Sequence, residues 1–193
     1  VCSSDLVELG APLLAARFPR AFVDVNREPY ELDPELFFER IPAYANSHSV
    51  RVVGGLGTIP RIVADGEDIY AERMPLAHGL DRIERYYRPF HAALGALLDA
   101  TLDRFGIAIL IDCHSMPSAS SGPTPGQRPH MILGDRFGAS CGQWLTRSLR
   151  DAMTSCGYDV RLNRPYAGGF ITEHYGKPAR GVHALQIEIN QIG

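Results

Sequence analysis

"FGIAILIDCHSMPS", Phe105–Ser118, sets seven residues without a polar side chain in front of Asp112, Cys113, His114 and Ser115. The apolar run predicts a strand over 107–111, short and covered on both faces, as in sheets built from parallel strands. A second stretch of the same kind, "HALQIEI" (His183–Ile189), predicts the closing strand. Between and before them the pattern alternates. The positions Leu80, Ile83, Tyr87, Phe90, Leu94, Leu97, Leu98, Thr101 and Phe105 are spaced as on one long helix, divided or kinked at Pro89. "HMILGD" (His130–Asp135) and Tyr158–Leu162 read as strands, and Gly138–Cys156 as a helix. Alternating strands and helices predict an α/β layer fold with a central mixed, mainly parallel sheet.

The N-terminal half is read the same way. Leu6–Arg17 has helical spacing, and "AFVDVNR" (Ala21–Arg27) alternates as a strand. "DPELFFER" (Asp33–Arg40), with an aspartate cap and Pro34 in the first turn, predicts a short helix. "VRVVGGLGTIPRIV" (Val50–Val63) opens a stretch to Tyr70 that reads as glycine-punctuated strand fragments, a hairpin or an irregular edge. A Ser/Gly/Pro-rich loop is expected over Ser115–Pro129 and a long loop over Arg164–Gly181. No repeat or second domain is visible, so residues 1–193 are expected to form one domain.

Composition narrows the partners. With 45% hydrophobic and 21% charged residues and a net charge of -3, the chain offers no broad basic field. Nucleic acid and anionic membrane surfaces are therefore not expected partners, and no apolar run reaches the ~18 residues of a membrane span. The four cysteines lack C-x-x-C spacing, which predicts neither a zinc knuckle nor a disulfide framework and favours a reducing, cytoplasmic setting. Oligomeric state is not written in these features. The ends "VCSSDL" and the last residues of "QIG" read as translated sequencing adapter, so positions 1–6 and 192–193 are expected to be adapter-derived and the domain truncated.

Three strand ends carry unusual polarity: Asp24, Asn26 and Arg27; Asp112 and His114; and Gln186, Glu188 and Asn190. In the last, polar residues at every second position share one face and Leu185, Ile187 and Ile189 the other. A carboxylate inside a strand is expensive to bury unpaired, so Glu188 is either an active-site group or one half of a salt bridge to an arginine. His114 is either a structural residue or a metal ligand, with Asp112 on the same side to orient it. Cys113 beside His114 makes a poor nucleophile-base pair, because adjacent residues of a strand face opposite ways. Ser115 lacks the G-x-S-x-G elbow. Gly54, Gly55 and Gly57 have no following Lys-Ser/Thr and read as turn geometry, not a phosphate loop. Arg27 is either a surface charge or a clamp for a substrate carboxylate. "GGFITEHYGKP" (Gly168–Pro178) sets Thr172, His174, Tyr175 and Lys177 between glycines, as in a substrate lid or an ordinary surface loop.

Taken together, "FPRAFVDVNREPYELDPELF", "LIDCHSMPS", "GGFITEHYGKP" and "ALQIEIN", in this order, resemble the N-formylglutamate amidohydrolase family from about Leu6 to Asn190. The resemblance implies a three-layer fold like that of the zinc carboxypeptidases and aspartoacylases. It also implies hydrolysis of N-formyl-L-glutamate to formate and L-glutamate in histidine degradation, with a small-molecule substrate and Zn2+ as cofactor. Residue by residue it implies His114 as a metal ligand, Asp112 as its orienter and Glu188 as general base. Asn26 and Arg27 are implied in substrate binding, with Thr172 and His174 lining the pocket. Zinc would polarise an unreactive amide and lower the pKa of its bound water towards ~7. A further ligand, expected from a proline-histidine-serine-glycine segment, has no counterpart before His48, so the 193-residue chain is expected to bind zinc weakly or not at all. The alternatives are a related zinc hydrolase of another N-acyl amino acid or peptide, a non-catalytic binder of small acids, and a Cys113 nucleophile enzyme.

Overall fold

The computed structural model describes residues 10–63, 66–117 and 129–191. The chain divides into two compact units, Val1–Leu97 and Leu98–Gly193.

The C-terminal unit is built on one mixed four-stranded sheet. Strands β1 (Ala108–Pro117), β2 (Met131–Gly134), β3 (Val160–Leu162) and β4 (Val182–Gln191) take the order β1-β4-β2-β3. The β1–β4 and β2–β3 pairs are parallel and the β2–β4 pair is antiparallel, which makes the architecture α/β with a mostly parallel sheet, as expected. Alternation divides the faces. Ile111, Leu133, Leu185 and Ile187 point to one side and pack with Cys141, Leu145, Leu149 and Met153, the last three on the helix Gln143–Ser155. Leu133 and Leu185 are fully enclosed there, each contributing about 2 kcal/mol from apolar burial. The other face of the sheet carries the polar positions.

Three boundaries differ from those expected. The first strand does not stop at Ile111 but runs on to Pro117, because β4 supplies a partner for every residue up to Gln191. His114 therefore lies inside a strand, not after one. Residues 118–128 of the expected Ser115–Pro129 loop lie outside the described residues. The helix expected from Gly138 begins at Gln143; before it, Arg136 and Phe137 take left-handed backbone angles (φ 54° and 57°) that no helix continues through. The expected loop Arg164–Gly181 contains a six-residue helix, Phe170–Tyr175.

The N-terminal unit departs further from expectation. Ala21–Arg27 forms turns, not a strand: Phe22 N–H bonds Pro19 C=O, and the Asp24 carboxylate takes the N–H of Asn26 at 2.9 Å. A side chain that satisfies the backbone locally removes the drive to pair with a neighbour. Asp33–Arg40 makes one turn and no helix. Asp33 caps Glu35 N–H at 2.8 Å, but Leu36 and Phe38 then bond Met74. Among its described residues the stretch Val50–Tyr70 holds no hairpin beyond a single bridge, Ile62 to Asp68. Its first residues form a one-turn helix, α1 (Val50–Val53), in which the Ser49 hydroxyl accepts Val52 N–H and overrides the β preference of three valines. The helix expected over Leu6–Arg17 is not formed from Gly10 onward, and its first residues lie outside those described.

The long helix appears as read, with its fault where Pro89 predicts it. Helix α2 (Leu76–Arg82) passes through a π-turn, Ile83–Tyr87, into α3 (Arg88–Phe105), within which the division between units falls. Proline has no N–H for the carbonyl four residues back and its ring clashes there; the wider π-turn relieves both. The remaining helices are α4 (Gln143–Ser155) and α5 (Phe170–Tyr175). Among the described residues no helix is long and apolar enough to cross a membrane.

Candidate active site

On the polar face of the sheet, parallel pairing of β1 with β4 sets Asp112 beside Gln186 and His114 beside Glu188. Neighbouring strands lie about 4.8 Å apart, so these register partners are side-by-side groups on one surface. Across β4, the antiparallel partner of Glu188 is Ile132, which is fully buried. Glu188 thus stands between an imidazole and an aliphatic side chain, 7% exposed. Burial at that level demands a partner for the carboxylate. Gln186, two residues back on the same face, provides one: its Nε2 donates to Glu188 Oε1 at 2.7 Å. Asn190, two residues on, donates to Pro129 C=O at 3.0 Å.

His114 and Asp112 form the matching pair on β1. The imidazole Nε2 lies 3.0 Å from Asp112 Oδ2, with both side chains largely enclosed. The carboxylate fixes the ring as an orienting partner does. Cys113 faces the opposite way, and partial burial, with a smaller push from Asp112, raises its thiol above the ordinary value. Both facts oppose a thiolate nucleophile at this position.

The short helix α5 is tied to this face through its start. Gly169 N–H donates to Gln186 Oε1 at 2.7 Å. Gly134 lets the preceding backbone approach β2: a Cβ there would meet the carbonyl carbon of Ala167 and the nitrogen of Gly168 at 2.7 Å. Thr172 is fully buried, packed against Gly168, with its hydroxyl unpaired. His174 stacks on Phe170 with ring centroids 4.9 Å apart, and burial, then Lys177, pulls its pKa below the ordinary histidine value. Desolvation pushes the Tyr175 hydroxyl up to about 12.

In the N-terminal unit, Asp24, Asn26 and Arg27 form their own cluster. Asp24 and Asn26 are 3% and 4% exposed. Arg20 Nε binds Asp24 at 2.7 Å, and Arg27 Nε lies 3.5 Å from the same oxygen. Arg27 also donates to the carbonyls of Leu56 and Asn26 at 3.0 and 3.1 Å. Burial lowers the Arg27 pKa from its ordinary value, opposed by Asp24 and assisted by Arg51 and Arg20. Arg51 in turn lies 3.9 Å from Glu31, whose buried Oε2 has no hydrogen bond. Three guanidiniums facing two carboxylates leave this cluster with a positive excess suited to an anion.

Compared with known families, residues 2–192 match that of N-formylglutamate amidohydrolase. The chain belongs to the N-formylglutamate amidohydrolase family. It is 33% identical over 187 residues to N-formylglutamate deformylase of Pseudomonas putida and 34% identical over 187 residues to that of Pseudomonas aeruginosa. Each alignment covers 95% of this chain and 64% of the relative. Among solved structures it resembles the N-formylglutamate amidohydrolase of Ralstonia eutropha, with a TM-score of 0.85 and 32% identity over 92% of this chain and 64% of that one. The chain therefore spans less than two thirds of the length of these family members.

The family resemblance implies zinc, which takes three protein ligands in a catalytic site. Among the described residues no three of His, Cys, Asp or Glu stand together as metal ligands. His114, with Asp112 at its Nε2, supplies at most part of such a site, and the described residues do not by themselves fit the ion. Gln186 is the group whose importance periodicity understates. Its alternation with Glu188 assigns it a face, whereas its bond to Gly169 depends on a loop whose path the sequence does not give.

Proposed function

We propose that the protein to which this chain belongs hydrolyses N-formyl-L-glutamate to formate and L-glutamate. The observation that carries the reading is the β1–β4 register, which sets His114, oriented by Asp112, beside the buried carboxylate of Glu188. That both Pseudomonas relatives are N-formylglutamate deformylases supports the substrate.

In this reading Glu188 takes a proton from the attacking water and returns it to the leaving amine. The apolar neighbour Ile132 and the enclosed strand keep the carboxylate from being levelled by bulk water. Asn26 and Arg27 recognise an anionic end of the substrate, Arg27 being held by two backbone carbonyls and Asp24. Thr172 and His174 line the substrate pocket in this reading, and the lowered pKa of His174 favours its neutral imidazole. The same reading takes zinc as the metal, with His114 as this chain's ligand, and histidine degradation in the cytoplasm as the setting.

The test is formate release from N-formyl-L-glutamate by the full-length protein, with acetate release from N-acetylaspartate measured beside it. Glu188→Gln, which keeps the shape and removes the base, is expected to lower turnover about a thousandfold while leaving the folded state and metal content unchanged. Unchanged turnover would assign the base elsewhere. Faster acetate than formate release would move the protein to another N-acyl amino acid.

A further inference from the structure

We propose that Gln186 is the positioning residue for Glu188, an inference that rests on the reading of Glu188 as general base. Gln186 is 5% exposed, and both ends of its amide are committed. Its Oε1 accepts Gly169 N–H at 2.7 Å. A backbone N–H only donates, so this bond assigns the orientation of the amide. Nε2 is thereby turned toward Glu188, where it donates to Oε1 at 2.7 Å. A glutamate side chain has broad freedom about its last torsion. A bond to one carboxylate oxygen from a donor that is itself anchored removes much of that freedom.

The sheet gives the arrangement its logic. On β1, Asp112 orients His114 from two residues back; on β4, Gln186 holds Glu188 from two residues back. Because the strands are parallel and in register, the two orienters are neighbours and so are the two groups they hold. The chemistry of the two orienters differs as the task requires. An imidazole N–H wants an acceptor, and a carboxylate wants a donor. A neutral amide donates without adding a full positive charge next to a group that must accept a proton. Gly169 caps α5, so the same amide also ties β4 to the helix bearing Thr172 and His174.

Two substitutions separate the two halves of this bridge in the intact enzyme. Gln186→Met is of similar length and loses both bonds. Gln186→Glu keeps an acceptor for Gly169 N–H and offers Glu188 no donor once ionised; while protonated it still donates, so its kcat is read at the alkaline end of the pH profile. Both are expected to lower kcat for formate release roughly 10–100-fold with KM within about twofold, the scale seen when an orienting partner is removed. The melting temperature of Gln186→Glu is expected to fall as pH rises and a second buried carboxylate forms beside Glu188, whereas Gln186→Met introduces no charge. Wild-type kcat in Gln186→Met would show that neither bond bears on turnover, and would overturn the proposal. So would a kcat loss matched by an equal rise in KM, since that assigns Gln186 a structural role. An inactive Glu188→Gln beside a fully active Gln186→Met sinks this inference alone; an active Glu188→Gln sinks the base assignment beneath it.

Discussion

In the C-terminal unit Ala108–Pro117 pairs residue by residue with Val182–Gln191, backbone to backbone. In the N-terminal unit the stretch Val23–Asp33, buried at Val23, Asp24, Asn26 and Glu31–Asp33, forms no strand, and its polar backbone is met one group at a time. Asp24 N–H finds Thr58 C=O, Asn26 N–H finds the Asp24 side chain, and Thr58 N–H finds Glu31 C=O. The buried acids follow the same division. Glu188 is held within a sheet by a neighbour two residues away, whereas Asp24 is a hub for two arginines and a backbone amide. The first unit draws its order from a repeating ladder with an apolar core, the second from side chains each used once. Such a difference has consequences for which substitutions are tolerated.

The sharpest contrast is expected from truncating each unit at its own kind of anchor. Leu185→Ala empties a fully buried site among Leu133, Cys141 and Leu145 and is expected to destabilise the C-terminal unit by about 4 kcal/mol. Denaturant unfolding followed by Trp144, the one tryptophan of the chain and a residue of that unit, reads the effect. Asp24→Ala is expected to cost the N-terminal unit about 3 kcal/mol, because it removes the acceptor of Asn26 N–H and leaves the largely enclosed Arg27 short of its counter-charge. Amide exchange at Asn26 and Thr58 reports it. A loss below about 1 kcal/mol at Asp24 would mean that the N-terminal unit rests on its apolar residues after all, and the contrast between the units would dissolve.

The same division decides what the sequence makes legible. Ala108–Ile111 and His183–Ile189 are readable as strands from their apolar runs, although Ile109 is 45% exposed, so the first strand is not covered on both faces as its composition predicts. The face shared by Gln186, Glu188 and Asn190 follows from the period of two, and so does the pairing of Asp112 with His114. Pro89 is legible too: its missing N–H has one consequence wherever it stands in a helix interior. Ala21–Arg27 is not legible, since its alternation mimics a strand while Asp24 satisfies the backbone that a strand would leave open. Val50–Val53 misleads likewise, because one Ser49 hydroxyl outweighs the preference of three valines for extended backbone. That Glu188 lies beside His114, finally, follows from register, which depends on the turns that deliver β4 to β1 and not on either strand alone.

The turn entering β4 offers the smallest test, and it bears on the register. Gly181 has φ +81°, in the left-handed region, and follows the 3-10 turn Pro178–Arg180. Its C=O accepts Ala108 N–H at 2.9 Å, the bond at the start of the β1–β4 ladder. An added Cβ would carry the strain of that φ and meet Gly106 C=O and Leu102 Cδ1 at 3.1 Å. Leu102 is the end of a flexible side chain and gives way, whereas the Gly106 carbonyl is backbone and resists. Gly181→Ala is therefore expected to cost about 1–2 kcal/mol, measured by denaturant unfolding with Trp144 as reporter. Gly181→Asn, the residue that tolerates this conformation best after glycine, is expected to recover part of that loss. Equal stability of Gly181→Ala and the parent would show that the ladder holds its register without this turn. In that case the juxtaposition of His114 with Glu188 would be a property of the two strands themselves, and the contrast between a self-ordering sheet and a side-chain-ordered unit would be sharper than the turn geometry suggests.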